Sequence, residues 1–158
     1  MTPTEQLLTD FYTAFQARDY ARMNACYAPG AHFEDPIFSL DGTAIHAMWH
    51  MLCEAGENLQ LTFRGIEADA SEGRAHWEPV YPFGASGRTV HNVIDARFRF
   101  ENGLIAEHRD SFDLWRWSRQ ALGLPGVLLG WTPMLQSKVR QTARGRLDRF
   151  IAKHPEYA

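Results

Sequence analysis

Three side chains in this chain have the makings of proton-transfer chemistry. Asp35 stands directly before Pro36 in AHFEDP, and His108 and Asp110 sit two residues apart in AEHRDSFD. A carboxylate held in apolar surroundings has its pKa raised toward neutrality, where a general base works best. An imidazole, amide or phenol beside it can donate a hydrogen bond to a developing oxyanion. Each acid also has a structural reading. Asp110 can pair with an arginine at a rim or cap backbone amides, and Asp35 can fix the turn at its proline.

Whether these groups meet depends on the elements that carry them. Residues 59–69, 72–83, 87–101 and 104–114 each alternate with period two, as strands do. Asn102-Gly103 signals a type I′ hairpin between the last two. In 104–114, Ala106, His108, Asp110 and Phe112 share one face, while Ile105, Glu107, Arg109, Ser111 and Asp113 share the more charged one. His108 and Asp110 are therefore predicted to point inward. In 87–101 the apolar face holds Val90, Asn92, Ile94, Ala96, Phe98 and Phe100. In 72–83 it holds Ala75, Trp77, Tyr81 and Phe83.

Helices precede these strands. Leu7, Leu8, Phe11 and Phe15 recur at helical spacing over 4–18. A short helix is predicted over 20–27, stopped by Pro29-Gly30, and a third over 43–55, capped by Thr43 and ended by Gly56. Phe11 and Trp49 lie on these helices and, with Trp77, Tyr81, Asn92 and Phe98, form the expected apolar lining. Helices followed by consecutive antiparallel strands predict an α+β fold. The expected form is a cone-like curved antiparallel sheet packed against the N-terminal helices, forming one domain over 1–158 with a core at 5–113.

Residues 114–158 form an expected helical extension, apolar and broken by Gly and Pro up to 135, then a basic helix over 136–153. From Lys138 onward the chain carries +4, against −7 for the remainder. Such a run usually marks a solvated helix face, so no nucleic-acid partner is expected. The apolar stretch is predicted to cover the mouth of the cone or a second copy, and a homodimer is expected. No apolar run is long enough to span a bilayer. MTPTEQ lacks signal-peptide character, and Cys26 and Cys53 form no close pair, so a reduced cytoplasmic protein is expected.

Other constellations are weak. His46 and His50 are one helical turn apart, but HExxH is absent and no third ligand is evident. No metal and no cofactor are therefore expected. Gly123, Gly126 and Gly130 fit no phosphate-binding spacing, GxSxG is absent, and Cys53 reads as a buried thiol.

Two segments resemble a known family. YAPGAHFEDP (27–36) is similar to the loop-strand of ketosteroid isomerases, whose acidic residue before proline shuttles the proton; Asp35 holds that position. NGLIAEHRDSFD (102–113) is similar to the last strand of SnoaL-type cyclases and limonene epoxide hydrolases, where the Asp after Arg is the general base; Asp110 matches it. The chain thus resembles the SnoaL-like branch of the nuclear transport factor 2-like superfamily. It departs from the isomerases at Phe11, where they have an oxyanion-hole tyrosine, and at Ala96, where they have a second acid. It departs from the epoxide hydrolases at Trp77 and Pro79. The resemblance implies a cofactor-independent acid–base enzyme of cyclase or isomerase type, acting on a small apolar carbonyl or polycyclic molecule. A non-catalytic ligand-binding or homodimeric scaffold protein is the alternative.

Overall fold

The computed structural model covers residues 1–158. Three helices surround the first two strands: α1 (Pro3–Gln16), α2 (Tyr20–Asn24), β1 (Tyr27–Glu34), β2 (Ser39–Asp41) and α3 (Thr43–Ala55). Five strands follow: β3 (Gln60–Ala68), β4 (Glu72–Pro82), β5 (Thr89–His91), β6 (Ile94–Glu101) and β7 (Leu104–Ser111). The chain ends in α4 (Leu114–Leu122), α5 (Leu124–Leu129), α6 (Pro133–Lys153) and a 3₁₀ turn at Pro155–Tyr157.

The strands form a curved, unclosed seven-stranded sheet in the order β2-β1-β7-β6-β4-β3, with β5 paired to β4. Helices lie at both ends of the chain, so the α+β class holds. One pairing departs from the antiparallel expectation: β1 runs parallel to β7.

Local chemistry explains the elements. Thr2 and Glu5 form a reciprocal capping box at the start of α1, at 3.1 and 2.9 Å. Asn102 and Gly103 both take positive φ, as a type I′ turn demands. The cap of α3 differs from expectation: Gly42 holds the N-cap, and the Thr43 hydroxyl instead donates to the Tyr157 carbonyl at 3.0 Å. Pro29-Gly30 does not stop α2, which ends at Asn24. Both residues lie inside β1, where the register shifts between Tyr27 and His32.

The inward faces are those alternation predicts, with two exceptions. Val90, Asn92, Ile94, Ala96, Phe98 and Phe100 are all buried. However, the predicted strand over 87–101 breaks at Asn92 and Val93 into β5 and β6. Ile105, placed outward by alternation, is fully buried because β7 carries an extra residue, Ala106, between its pairings Arg99–Glu107 and Phe100–Ile105, which turns Ile105 inward opposite Phe100.

Both ends of the chain pack onto this face. Leu8, Phe11, Tyr12 and Phe15 of α1 are buried with Ile45, Met48 and Trp49 of α3 and Leu147 of α6 in one cluster. A smaller cluster joins Val90 to Leu114, Trp117 and Ala121 of α4. Asp113 caps α4 by accepting from the Arg116 N–H at 3.1 Å. A Cβ at Gly126 would overlap the Ser118 carbonyl, so only glycine lets α5 fold back this closely on α4. The region from α5 to the start of α6 leaves Leu124, Leu128, Trp131 and Met134 exposed, each at 60% or more. No helix is long and apolar enough to cross a membrane.

Candidate functional site

The sheet's inner face brings His108 and Asp110 together inside a cage of aromatic rings. Both stand on β7, pointing inward, and are 1% and 4% exposed. Phe98 and Phe33 lie 4.4 and 4.9 Å from the His108 ring, with Phe11 and Trp49 at 5.8 and 6.2 Å. Phe11, Trp49 and Phe98 are therefore walls around the imidazole.

Hydrogen bonds run through this cage in one direction. The Trp49 indole N–H donates to the Tyr27 hydroxyl at 3.0 Å. The Tyr27 proton is then directed at His108 Nδ1, 2.7 Å away. A neutral His108 consequently carries its own proton on Nε2 and donates it to Asp110 Oδ1 at 2.9 Å. The Trp77 indole N–H reaches the same oxygen at 3.4 Å. Oδ1 takes both bonds, and Asp110 Oδ2 makes none within the protein. One oxygen is fixed in place and the other is available for a proton.

Asp35 has the same division. Its Oδ1 accepts from the Ile37 and Phe38 amides at 2.7 and 2.6 Å, which fixes the turn after β1 and leaves Oδ2 without a protein partner. Burial pushes the carboxyl up to about 6, the Phe38 amide opposes this, and the Asp110 charge adds to it.

A carboxyl raised from 3.8 to about 6 holds more protons folded than unfolded between those values. Its contribution to stability is therefore best below about pH 4 and declines as pH rises to about 6. Asp35→Asn keeps an oxygen for both amides and removes the charge. We expect its thermal midpoint to equal the parent's near pH 4 and exceed it above pH 6, as read by circular dichroism across pH.

Tyr12 and Tyr27 were not among the sequence candidates. Tyr12 is fully buried and its hydroxyl has no hydrogen-bond partner. Burial and the Asp110 charge hold its pKa well above the ordinary value, so it stays protonated and can donate. Phe11 carries no hydroxyl, but the next residue does. The signals available were the adjacency of Tyr12 to Phe11 and the place of Tyr27 at the start of YAPGAHFEDP.

The remaining candidates have narrower roles. The Tyr81 hydroxyl accepts from the Trp117 indole at 2.9 Å, so α4 reaches over the Asp35 end of the site. Burial raises Tyr81, and the charge of Asp35 contributes. Asn92 is buried, but its Oδ1 takes the Val93 amide at 3.1 Å where β5 breaks from β6. Burial pushes the Cys26 and Cys53 thiols up to about 11, which leaves neither a thiolate at neutral pH. Two open surface grooves, of about 410 and 690 Å³, touch neither acid, although Phe98 lines the larger one.

The fold has relatives. No curated protein matches the chain. An NTF2-like protein of unknown function from Burkholderia pseudomallei K96243 shares 18% identity at a TM-score of 0.65, covering 77% of this chain and 98% of its own. An LEH-like epoxide hydrolase from M. tuberculosis shares 18% at 0.60, covering 80% and 96%. A protein assigned as a polyketide cyclase from Xanthomonas campestris pv. campestris shares 19% at 0.60, covering 75% and 96%. At these identities the similarity establishes the fold. The SnoaL-like domain model matches residues 8–108, from α1 through to the imidazole that Asp110 holds, and the chain belongs to that family.

Proposed function

We propose that this chain is a cofactor-independent acid–base enzyme of cyclase or isomerase type. Its substrate would be an apolar molecule bearing a carbonyl. The carrying observation is a buried carboxylate, Asp110, with one oxygen anchored by His108 and Trp77 and the other free. Asp110 Oδ2 would take a proton from carbon next to the carbonyl. As charge moves onto the carbonyl oxygen, the unpartnered Tyr12 hydroxyl would donate to it. His108 is a positioning residue, because its Nε2 proton is committed to Asp110. Asp35, raised to about 6, is suited to return the proton elsewhere on the skeleton.

The experiment is deuterium exchange from solvent into hydrophobic ketones and polyketide-like phenols, followed by mass spectrometry for parent and Asp110→Asn. Exchange by the parent that the variant loses supports the reading. A non-catalytic binding protein is the rival, favoured by how deeply Asp110 is buried. It predicts ligand binding without exchange in either protein.

We also propose a homodimer in which a second copy covers Leu124, Leu128, Trp131 and Met134. Sedimentation velocity should give twice the mass of one chain, and Trp131→Asp should shift it to one. The cytoplasm is the proposed location, since Cys26 and Cys53 are free, buried thiols.

A further inference from the structure

Away from Asp110, the chain gathers a second set of chemically capable groups where α3 meets the C-terminus. His50 and Glu54 stand one turn apart on α3, and His154 follows the last residue of α6. One ligand atom from each lies within 4.8 Å of the other two. His46 is not part of this group; its ring packs 6.3 Å from Tyr27. The third ligand that the histidine spacing lacks is supplied by Glu54 on the same helix and by a histidine far along the chain.

One imidazole is already set as a metal ligand, and the other needs only its proton moved. His154 Nδ1 lies 2.9 Å from the Phe150 carbonyl, which can only accept, so the His154 proton sits there and Nε2 keeps its lone pair. His50 Nε2 donates to Glu54 Oε1 at 3.2 Å, and its Nδ1 meets the Tyr157 hydroxyl at 2.9 Å; a metal at Nε2 would displace that proton to Nδ1, where the Tyr157 oxygen can accept it. Stacking holds the rings: Tyr20 lies 3.7 Å from His50 and Phe150 lies 3.9 Å from His154. Outer partners of this kind fix tautomer and orientation at metal centres. Glu54 is exposed, which leaves an entry path.

We propose that His50 Nε2, the Glu54 carboxylate and His154 Nε2 bind a divalent transition-metal ion of the zinc class. Two imidazoles and one carboxylate suit a tetrahedral borderline ion and not calcium or magnesium, which prefer all-oxygen sites. Glu54 also lines a surface groove walled by Arg146, Arg149 and Lys153, bases that favour an anion beside the ion. The ion would fasten the C-terminal turn to α3. It has no part in the proton transfer proposed for Asp110.

The test is a titration of the full chain with Co²⁺, read by visible absorption, and with Zn²⁺, read by calorimetry and thermal melting. The parent should bind one ion, show the intense bands of four-coordinate cobalt, and melt several degrees higher with zinc. Glu54→Gln and His154→Ala should each weaken zinc by about tenfold or more, as loss of a ligand does, while His46→Ala leaves binding unchanged. Glu54 is exposed, so Glu54→Gln reports even where His154→Ala loses the C-terminal turn. Parent-like affinity in Glu54→Gln, or only hydrated six-coordinate cobalt with the parent, would overturn the site.

Discussion

Asp110→Asn should reduce turnover by about 10²–10⁴-fold, the range for removing a positioned general base, while the fold stays intact. The second half of this expectation follows from which oxygen does what. An asparagine oxygen at the Oδ1 position still accepts from His108 Nε2 and the Trp77 indole. The group lost is the free oxygen, replaced by an NH₂ that cannot take a proton. The charge is lost too, and an ionised carboxylate in a ring-lined interior is costly to keep there. The melting midpoint should therefore match or exceed the parent's. A clear drop in midpoint would mean that the negative charge itself holds the relay of Trp49, Tyr27 and His108 together. Asp110 would then be a scaffold residue, and the enzyme reading would fail with it.

Deleting residues 114–158 should leave an insoluble chain. Leu114 and Trp117 cover Val90, and Leu147 reaches into the main cluster with no exposure at all. At about 1.5–3 kcal/mol per buried large side chain, these three account for roughly 5–9 kcal/mol. That is comparable with the whole stability of a domain, about 5–15 kcal/mol. The deletion also removes the Trp117 bond to Tyr81 and the Arg140 bond to the Pro36 carbonyl, at 2.9 and 2.8 Å. Light scattering of the truncated chain after expression is the direct measurement. A clear, monodisperse solution with a parent-like circular dichroism spectrum would show that the extension is an accessory.

The parts of the fold legible in the sequence were those governed by local periodicity. Period two placed His108, Asp110 and Phe98 inward, and Asn102-Gly103 marked its hairpin, because alternation and turn chemistry act over a few residues. Ile105 was misassigned because its own strand carries one unpaired residue, Ala106, where the pairing passes from Arg99–Glu107 to Phe100–Ile105, and the alternation of the segment alone does not reveal that bulge. Pro29-Gly30 read as a helix stop, yet a strand absorbs both within an irregular pairing to β7. The family resemblance pointed to Asp35 and Asp110 but put attention on Phe11. Whether a tyrosine one position away reaches the acid depends on how α1 rotates against the sheet, a tertiary matter. The His50, Glu54 and His154 group was hidden for the same reason, since chain spacing does not reveal which turn of α3 the C-terminus meets.

The parallel pairing of β1 with β7 also sets the order in which this protein can be made. On one side β1 pairs with β2, its near neighbour in the chain; on the other it must wait for β7, the last strand to be synthesised. Until Leu104–Ser111 leaves the ribosome, β1 keeps an open edge, and the rings of Phe11, Phe33 and Trp49 lack the imidazole around which they pack. Non-local pairing of this kind delays folding and leaves apolar surface uncovered meanwhile. The nascent chain therefore carries uncovered apolar surface through most of its elongation, and its core closes late, around the residues proposed for chemistry.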